Sequence, residues 1–402
     1  MHMGGIDFLL WILFWGGCLS VLTVLLFYPL LLFGLSFLFK ENEKPKTDET
    51  TLLPFVSVLV VFRNADSLLQ EKMENFLALD YPEDRLELVL VSDGSRDHSV
   101  DIARSAGSDR IRFYHFDDHQ GKSHCLNHGV GMCRGDILVF SDVDALVEPE
   151  VLRYLTAWFR RPEIGGVCGQ RVVREKVSRI ESGQRTFIRW DSVIKQMEVR
   201  VGQSVTSHDG KLYAIRKKLF KTVPPGVTDD AYISLSVTGQ GFSFVFDRQA
   251  LAFIRMPSRN VHHELTRRRR IVSTSLRGLW LNRRLFNPFR YGAFSVGLFI
   301  NKVIRRLLPI ALIVVFLSST GLALSGSPFF GVVFFIQVAG YLFCLLYPWL
   351  TTKFRQASTV GRLVLKVSGL GYFFCIGMAG TFLGVVSFLS GEEITKWEPV
   401  KK

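Results

Sequence analysis

Residues 137–145 read ILVFSDVDA. Four apolar residues and a serine in unbroken succession mark a strand buried on both faces. The run ends in Asp142-Val143-Asp144. Side chains alternate along extended backbone, so the two aspartates share a face while Val143 turns back toward the core. Paired carboxylates at a strand end suit a hard divalent cation, and such a cation suits phosphate oxygens. The competing reading is local, because aspartates also close turns and cap helices. The buried strand ahead of the pair and the Glu148-Pro149-Glu150 helix start behind it favour a site.

Working outward, Val56–Phe62, Leu86–Val91 and Ile111–His115 carry the same buried-strand signature. Helical stretches are predicted at Ser67–Leu79, Ser99–Ala106 and Lys122–Cys133. Strands alternating with helices call for a mainly parallel sheet with right-handed crossovers. Ligands of such sheets sit beyond the carboxyl ends of the strands. Asn64, Asp93 and Asp142/Asp144 all fall at such ends.

This α/β unit is flanked by apolar sequence. Of 402 residues 48% are hydrophobic and 34 are Phe, and they cluster rather than spread. About 20 apolar residues cross a bilayer. Phe8–Phe39 exceeds that and reads as one long, tilted or kinked helix. A cleaved leader is disfavoured, because the run is long and no basic segment precedes it. Three more spans are predicted near Leu307–Leu324, Phe329–Leu350 and Leu370–Leu389. The predicted organisation is a membrane helix in 1–40, a catalytic domain in 41–258, basic amphipathic interface helices in 259–306, three membrane helices in 307–391 and a tail in 392–402. Lys40, Lys44 and Lys46 after the first span, and Lys353, Arg355, Arg362 and Lys366 before the last, place the middle domain in the cytoplasm.

The net charge of +13 does not signal nucleic acid. Between Arg259 and Arg306 twelve Lys/Arg face one acid, Glu264, in a segment that runs straight into apolar helices. Such segments lie on anionic headgroups at roughly 1 kcal/mol per cation, and no nucleic-acid reader motif accompanies this one. The six cysteines show no CxxC and no pairing pattern, so neither a disulfide framework nor a zinc site is expected.

Taken together, Val56–Asn64, SDGSRD (92–97), GKSHCLN (121–127), the GD…SDVDA run (135–145) and TDD (228–230) resemble the family 2 glycosyltransferases of the GT-A fold. The resemblance covers roughly Val56–Trp280. It extends more weakly into Asn287–Pro309, which is similar to membrane-anchored hyaluronan, cellulose and poly-N-acetylglucosamine synthases.

The resemblance implies roles for particular residues. Asn64 and Asp93 would meet the nucleoside of a UDP-sugar, although Ser92 stands where the family often has a first Asp. Lys122, opening a helix after Gly121, would meet the diphosphate, as helix N-termini favour anions. Asp142 would hold the nucleotide side and, with Asp144, a divalent metal (Mg2+ or Mn2+) acting as Lewis acid on the departing diphosphate. Asp230 would deprotonate the acceptor hydroxyl, giving inversion, with an ordinary carboxylate pKa near 4. Asp229 replaces the family's usual Glu. Both aspartates also suit a helix N-terminus, since Ala231–Val237 reads as helical. His208, Asp209 and Glu198 are candidates for acceptor contacts. Arg267, Arg268 and Arg270 resemble the arginine-rich helix that closes over the pyrophosphate. The alternative for that helix is a headgroup-binding one, with Leu276, Leu279 and Trp280 among the cations. Arg267 and Ile271 replace the Gln and Trp of QxxRW, a departure that sets the chain apart from processive members.

The expectation is therefore a multi-pass protein of a bacterial inner membrane. It would transfer sugar from a UDP-sugar to a lipid-linked or polysaccharide acceptor. The alternatives are a non-catalytic nucleotide-sugar-binding scaffold and a processive synthase that secretes its polymer.

Overall fold

The computed structural model describes residues 4–40, 43–45, 52–173, 179–208, 210–254, 261–353 and 359–394. Lys46, Asp209, Arg259 and Arg355 lie outside these residues.

The chain begins with α1 (Gly5–Leu22) and α2 (Tyr28–Ser36), joined by a π-helical turn, Thr23–Phe27. Pro29 lacks the N–H that an α-helix needs, and the wide turn accommodates it without ending the helix. The bend in the first apolar run thus comes from Pro29 rather than from Gly16-Gly17. Gly17 instead lies against α-helical residues Ala311 and Val315 further along the chain.

The middle domain starts β1 (Val56–Phe62), α3 (Asp66–Leu77), β2 (Leu86–Asp93), α4 (Ser99–Arg104), β3 (Ile111–Phe116), α5 (Lys122–Met132) and β4 (Ile137–Ser141). All four strands are parallel, in spatial order β3-β2-β1-β4. Every residue of β1, β2 and β4 is buried, as unbroken β-branched runs require. Growth reverses direction between β1 and β4, the switch point at which open α/β sheets bind ligands.

Beyond β4 the sheet turns mixed. β5 (Ala145–Val147), α6 (Val151–Ala157), β6 (Ile164–Val173), α7 (Arg179–Gly202), β7 (Leu212–Arg216), α8 (Asp229–Gly239) and β8 (Ser243–Ile254) complete eight strands in the order β3-β2-β1-β4-β7-β6-β8-β5. β7 lies antiparallel to β4, with Phe140 opposite Tyr213. Their rings stack at 4.7 Å.

The remainder is helical: α9 (Val261–Leu281), α10 (Pro288–Leu298), α11 (Arg305–Leu324), α12 (Pro328–Leu345), α13 (Tyr347–Lys353) and α14 (Thr359–Leu389). A second π turn, Phe299–Ile304, joins α10 to α11. Among the described residues four helices are long and apolar enough to cross a membrane: Gly5–Ser36, Pro288–Leu324, Pro328–Leu345 and Gly361–Leu389. The second is longer than the predicted span, because the interface segment runs into it without a break. Phe335 and Ile336 of α12 are 72% and 67% exposed, which suits a lipid environment and not water. The cysteines among the described residues are all free.

Candidate functional site

At the carboxyl end of β4, Asp142 and Asp144 face the same way and Val143 packs on the core. The turn is fixed from beneath. Lys72 of α3 donates to Ser141 Oγ (2.8 Å) and to the Ala145 carbonyl (2.5 Å), and is itself buried. Burial lowers its pKa to about 8, against the pull of Asp142 and Asp144. Lys72 was invisible as a site residue in the sequence. Its signal is positional: it shares the buried stripe of Leu69, Met73 and Phe76 on a helix whose other charges are exposed.

The two carboxylates converge on one cation. Lys211 Nζ lies 2.9 Å from Asp142 Oδ2 and 2.8 and 3.0 Å from the two oxygens of Asp144. Lys122 Nζ lies 3.2 Å from Asp142 Oδ1 and 3.0 Å from Asp229 Oδ2. Burial disfavours charge on Asp142, but the two ammonium groups outweigh it and hold its pKa below the usual carboxylate range. Oxygen donors aimed at a single positive centre fit a divalent cation, with the ammonium of Lys211 standing where it would bind. No group of three His, Cys, Asp or Glu side chains gathers among the described residues. The chain therefore offers two carboxylates, and phosphate and water oxygens would complete the shell.

Asp229 and Asp230 open α8, where the helix dipole favours them. Asp230 Oδ1 accepts from the Ala231 amide at 2.7 Å. Burial and the neighbouring charge of Asp229 push the Asp230 pKa up to about 7. The expectation of an ordinary carboxylate near 4 is thereby corrected. Lys122 neutralises Asp229, which leaves Asp230 as the carboxyl that holds its proton longest.

Asp230 is packed tightly from the other side. Gly210 has φ +61°, and a Cβ there would fall 2.5 Å from Asp230 Oδ2. Only glycine permits both. His208, of the same loop, is stacked between Tyr213 and Phe244, with Nε2 3.1 Å from the Asp230 carbonyl. It braces the base rather than offering an open face to an acceptor. Asp209 falls outside the described residues. Tyr213 is a second residue missed in the sequence. It is 1% exposed, and its hydroxyl has no partner among the described residues although it sits in the field of Asp229, Asp230 and Asp142. An unpaired buried hydroxyl costs about 1–3 kcal/mol, a cost that a ligand could relieve.

Asn64 and Asp93 build the nucleoside end indirectly. Asn64, at φ +49°, accepts from the Arg96 amide (2.9 Å) and donates its own amide to Ser95 Oγ (3.0 Å). Asp93 is fully buried. Its carboxylate accepts from the amides of Gln120 (2.7 Å) and Gly121 (3.1 Å) and lies 2.8 Å from His119 Nδ1. Asp93 thus shapes the loop from which Lys122 projects, and in this conformation offers no surface of its own.

The arginine helix divides its work. Arg267 and Arg268 pair with Glu264, at 2.9 and 2.5 Å. Arg268 lies over the Phe373 ring (5.2 Å) and against Gly377 and Gly380 of α14. Its predicted contact with the nucleotide is corrected: the small residues of α14 draw it toward the membrane helices. Arg270 is the one coupled by charge to Asp229, Asp142 and Asp230, and burial lowers its pKa. Trp280 points outward, 62% exposed, while Leu279 is buried.

Glu198 is a joint. It accepts from Tyr28 Oη (2.7 Å), Thr206 N (2.9 Å), Thr206 Oγ1 (2.7 Å) and Asn301 Nδ2 (3.0 Å). Burial pushes its pKa up. With every oxygen engaged inside the protein, it links the first membrane helix, α7, the loop before Gly210 and the second π turn. It has no face left for an acceptor. A cavity of about 730 Å³ lined by Pro54, Asp136, Arg153 and Arg216 opens at the other ends of β1 and β4, remote from these groups.

Residues 57–223 match the family model for glycosyl transferase family 2. A poly-beta-1,6-N-acetyl-D-glucosamine synthase of Staphylococcus epidermidis is 23% identical over 259 residues, 60% of this chain and 62% of that protein. A probable glycosyltransferase, YdaM, of Bacillus subtilis is 25% identical over 259 residues, 60% of each chain. The chain thus spans about three fifths of the length of these curated relatives. The mannosyltransferase PcManGT from Pyrobaculum calidifontis, solved in complex with GDP-Man and Mn2+, matches with a TM-score of 0.65 over 96% of this chain and 99% of that one, at 20% identity. That likeness is one of fold.

Proposed function

We infer, from the premise that residues 57–223 are a family 2 glycosyltransferase domain on a GT-A fold, that the chain is a membrane-bound, inverting sugar transferase. It would take a UDP-sugar as donor and build a cell-surface glycolipid or polysaccharide. The observation that carries this reading is the meeting of Asp142/Asp144, Lys122 and Arg270 with Asp229/Asp230 at the switch point of the sheet.

Each residue has a task in this reading. Lys122 and Arg270 hold the diphosphate, Arg270 with a planar donor set that Lys lacks. Arg267 lies beside it and supports its position. Asp142 and Asp144 hold a divalent cation, which when bound neutralises charge on the departing diphosphate. Asp230 accepts the proton of the acceptor hydroxyl as that oxygen bonds to the anomeric carbon from the face opposite the leaving group. A base with pKa near 7 matches the pH at which it works better than one near 4. His208 and Gly210 hold it in place, while Asn64 and Asp93 set the loops around the nucleoside. The basic loops put the domain on the cytoplasmic face of the membrane.

The test is nucleotide release from UDP-GlcNAc, UDP-glucose and GDP-mannose by the purified full chain in lipid, with Mn2+, with Mg2+ and with EDTA. Release from one UDP-sugar, abolished by EDTA and lost in Asp230→Asn while donor binding survives, is the expected result. Donor binding without turnover under every condition would make the chain a scaffold. Release from GDP-mannose alone would overturn the UDP assignment.

A further inference from the structure

The second π turn places Lys302 where its ammonium makes no hydrogen bond and no carboxylate ion pair among the described residues. It acts by charge on Asp230, and Arg305 and Arg306 stand in its own surroundings. Arg306 donates to the Lys302 carbonyl (2.7 Å) and to Ser275 Oγ on α9 (2.5 Å), both neutral groups. Arg305 donates to Asn301 Oδ1 (2.9 Å), whose amide reaches Glu198. These half-buried cations therefore gather beside the base, just before the apolar stretch of α11. Like charges held together without a counter-ion are costly, and π turns recur where a helix is deformed for function. Arg270 serves the donor, as argued above. Lys302 belongs to the turn that joins the membrane helices, the side from which a lipid would approach.

We propose that Lys302 and Arg306, with Arg305 beside them, bind a phosphate carried by the acceptor. The acceptor is then a lipid whose nucleophilic hydroxyl lies close to a phosphate. This rests on the transferase reading given above. In the step itself the hydroxyl oxygen bonds to the anomeric carbon and the bond from that carbon to the donor's diphosphate oxygen breaks. The electron pair leaves on the nucleoside diphosphate, and the proton goes to Asp230. The acceptor's phosphate is bound and stays intact. Since Lys302 is a point charge and Arg306 a planar fork, the pair can grip one phosphate from two directions.

The experiment uses the full chain in nanodiscs and two synthetic acceptors. One carries a sugar on a long alkyl chain through a phosphate, the other the same sugar on the same chain through an ether. The phosphate acceptor is expected to be used at least tenfold better in kcat/KM. Lys302→Met and Arg306→Gln should raise its KM about tenfold or more, Lys302→Arg should restore most of the loss, and donor Kd should stay within twofold. Equal use of both acceptors by the wild-type chain would overturn the proposal while leaving the transferase reading intact. So would a Lys302→Met defect that appears as weakened donor binding. A defect that follows the phosphatidylglycerol content of the nanodisc and not the acceptor's phosphate would assign the cluster to bulk headgroups, and would equally overturn it. No transfer from any donor to either acceptor would instead be a failure of the transferase reading.

Discussion

Lys211 Nζ sits 2.8 Å from Asp144 Oδ1 and 2.9 Å from Asp142 Oδ2, so one ammonium bridges both carboxylates of the pair. A divalent cation entering there must displace it. Lys211→Met removes the competitor and leaves two acids facing each other, so Mn2+ affinity in donor-free protein should rise. At contact distance the competing charge is worth more than 1.4 kcal/mol, so a gain of about tenfold or more is expected. The measurement is Mn2+ titration by electron paramagnetic resonance. Unchanged affinity would mean that the metal seat lies elsewhere.

The rate should follow the ionisation of Asp230. Its pKa is raised to about 7, so the carboxyl is protonated and unable to accept a proton below that pH. With saturating metal, kcat/KM should rise tenfold per pH unit up to about pH 7 and level off above. A flat profile from pH 5.5 to 8.5 would remove Asp230 from the role of base.

What could be read from the sequence follows the range of the interactions. β1 through β4 were legible because strands buried on both faces leave unbroken apolar runs, and Asp142, Asp144 and Asp230 because their chemistry sits on local motifs. The antiparallel insertion of β7 beside β4 was not legible, since that pairing joins Phe140 to Tyr213 across a long stretch of chain. Arg268 went astray for the same reason: its partner surface is α14, over a hundred residues on. Glu198 and Lys72 mislead in opposite ways. A buried carboxylate with four donors and a buried ammonium under a turn look, in sequence, like ordinary charged residues on helices.

The Tyr28–Glu198 hydrogen bond ties the first membrane helix to the loop that carries His208 and Gly210. Tyr28→Phe deletes one donor to a buried carboxylate and should cost about 1.5–3 kcal/mol. A double-mutant cycle with Glu198→Gln should show a coupling of similar size between the two sites. Additive losses in thermal unfolding would mean that the bond carries no energy.

Gly210→Ala should damage the rate more than the fold. The new methyl meets Asp230 Oδ2, and the left-handed backbone adds about 1–2 kcal/mol of strain. A shift of the carboxylate by about 1 Å is enough to lower kcat roughly a hundredfold. Donor affinity should hold, because Lys122, Asp142 and Arg270 lie on other elements. Loss of nucleotide binding in step with kcat would show that the loop supports the donor site as well.

Asp230→Asn should remove catalysis and stabilise the protein, and the sign of the second effect follows from linkage. The folded chain holds this proton up to about pH 7, whereas the unfolded chain releases it near 3.8. Between those values the folded state binds more protons, so stability falls as pH rises. Below pH 4 the carboxyl is neutral in both states and carries no such penalty; above pH 7 the full cost of ionising it in place has been reached. Asparagine never ionises. The difference in unfolding temperature between Asp230→Asn and wild type should therefore open from about pH 4, grow to about pH 7 and stay constant beyond. A difference that is the same at pH 5 and pH 8 would mean that the buried carboxylate is not strained by its surroundings. It would then be an ordinary acid, poorly suited to take a proton at neutral pH.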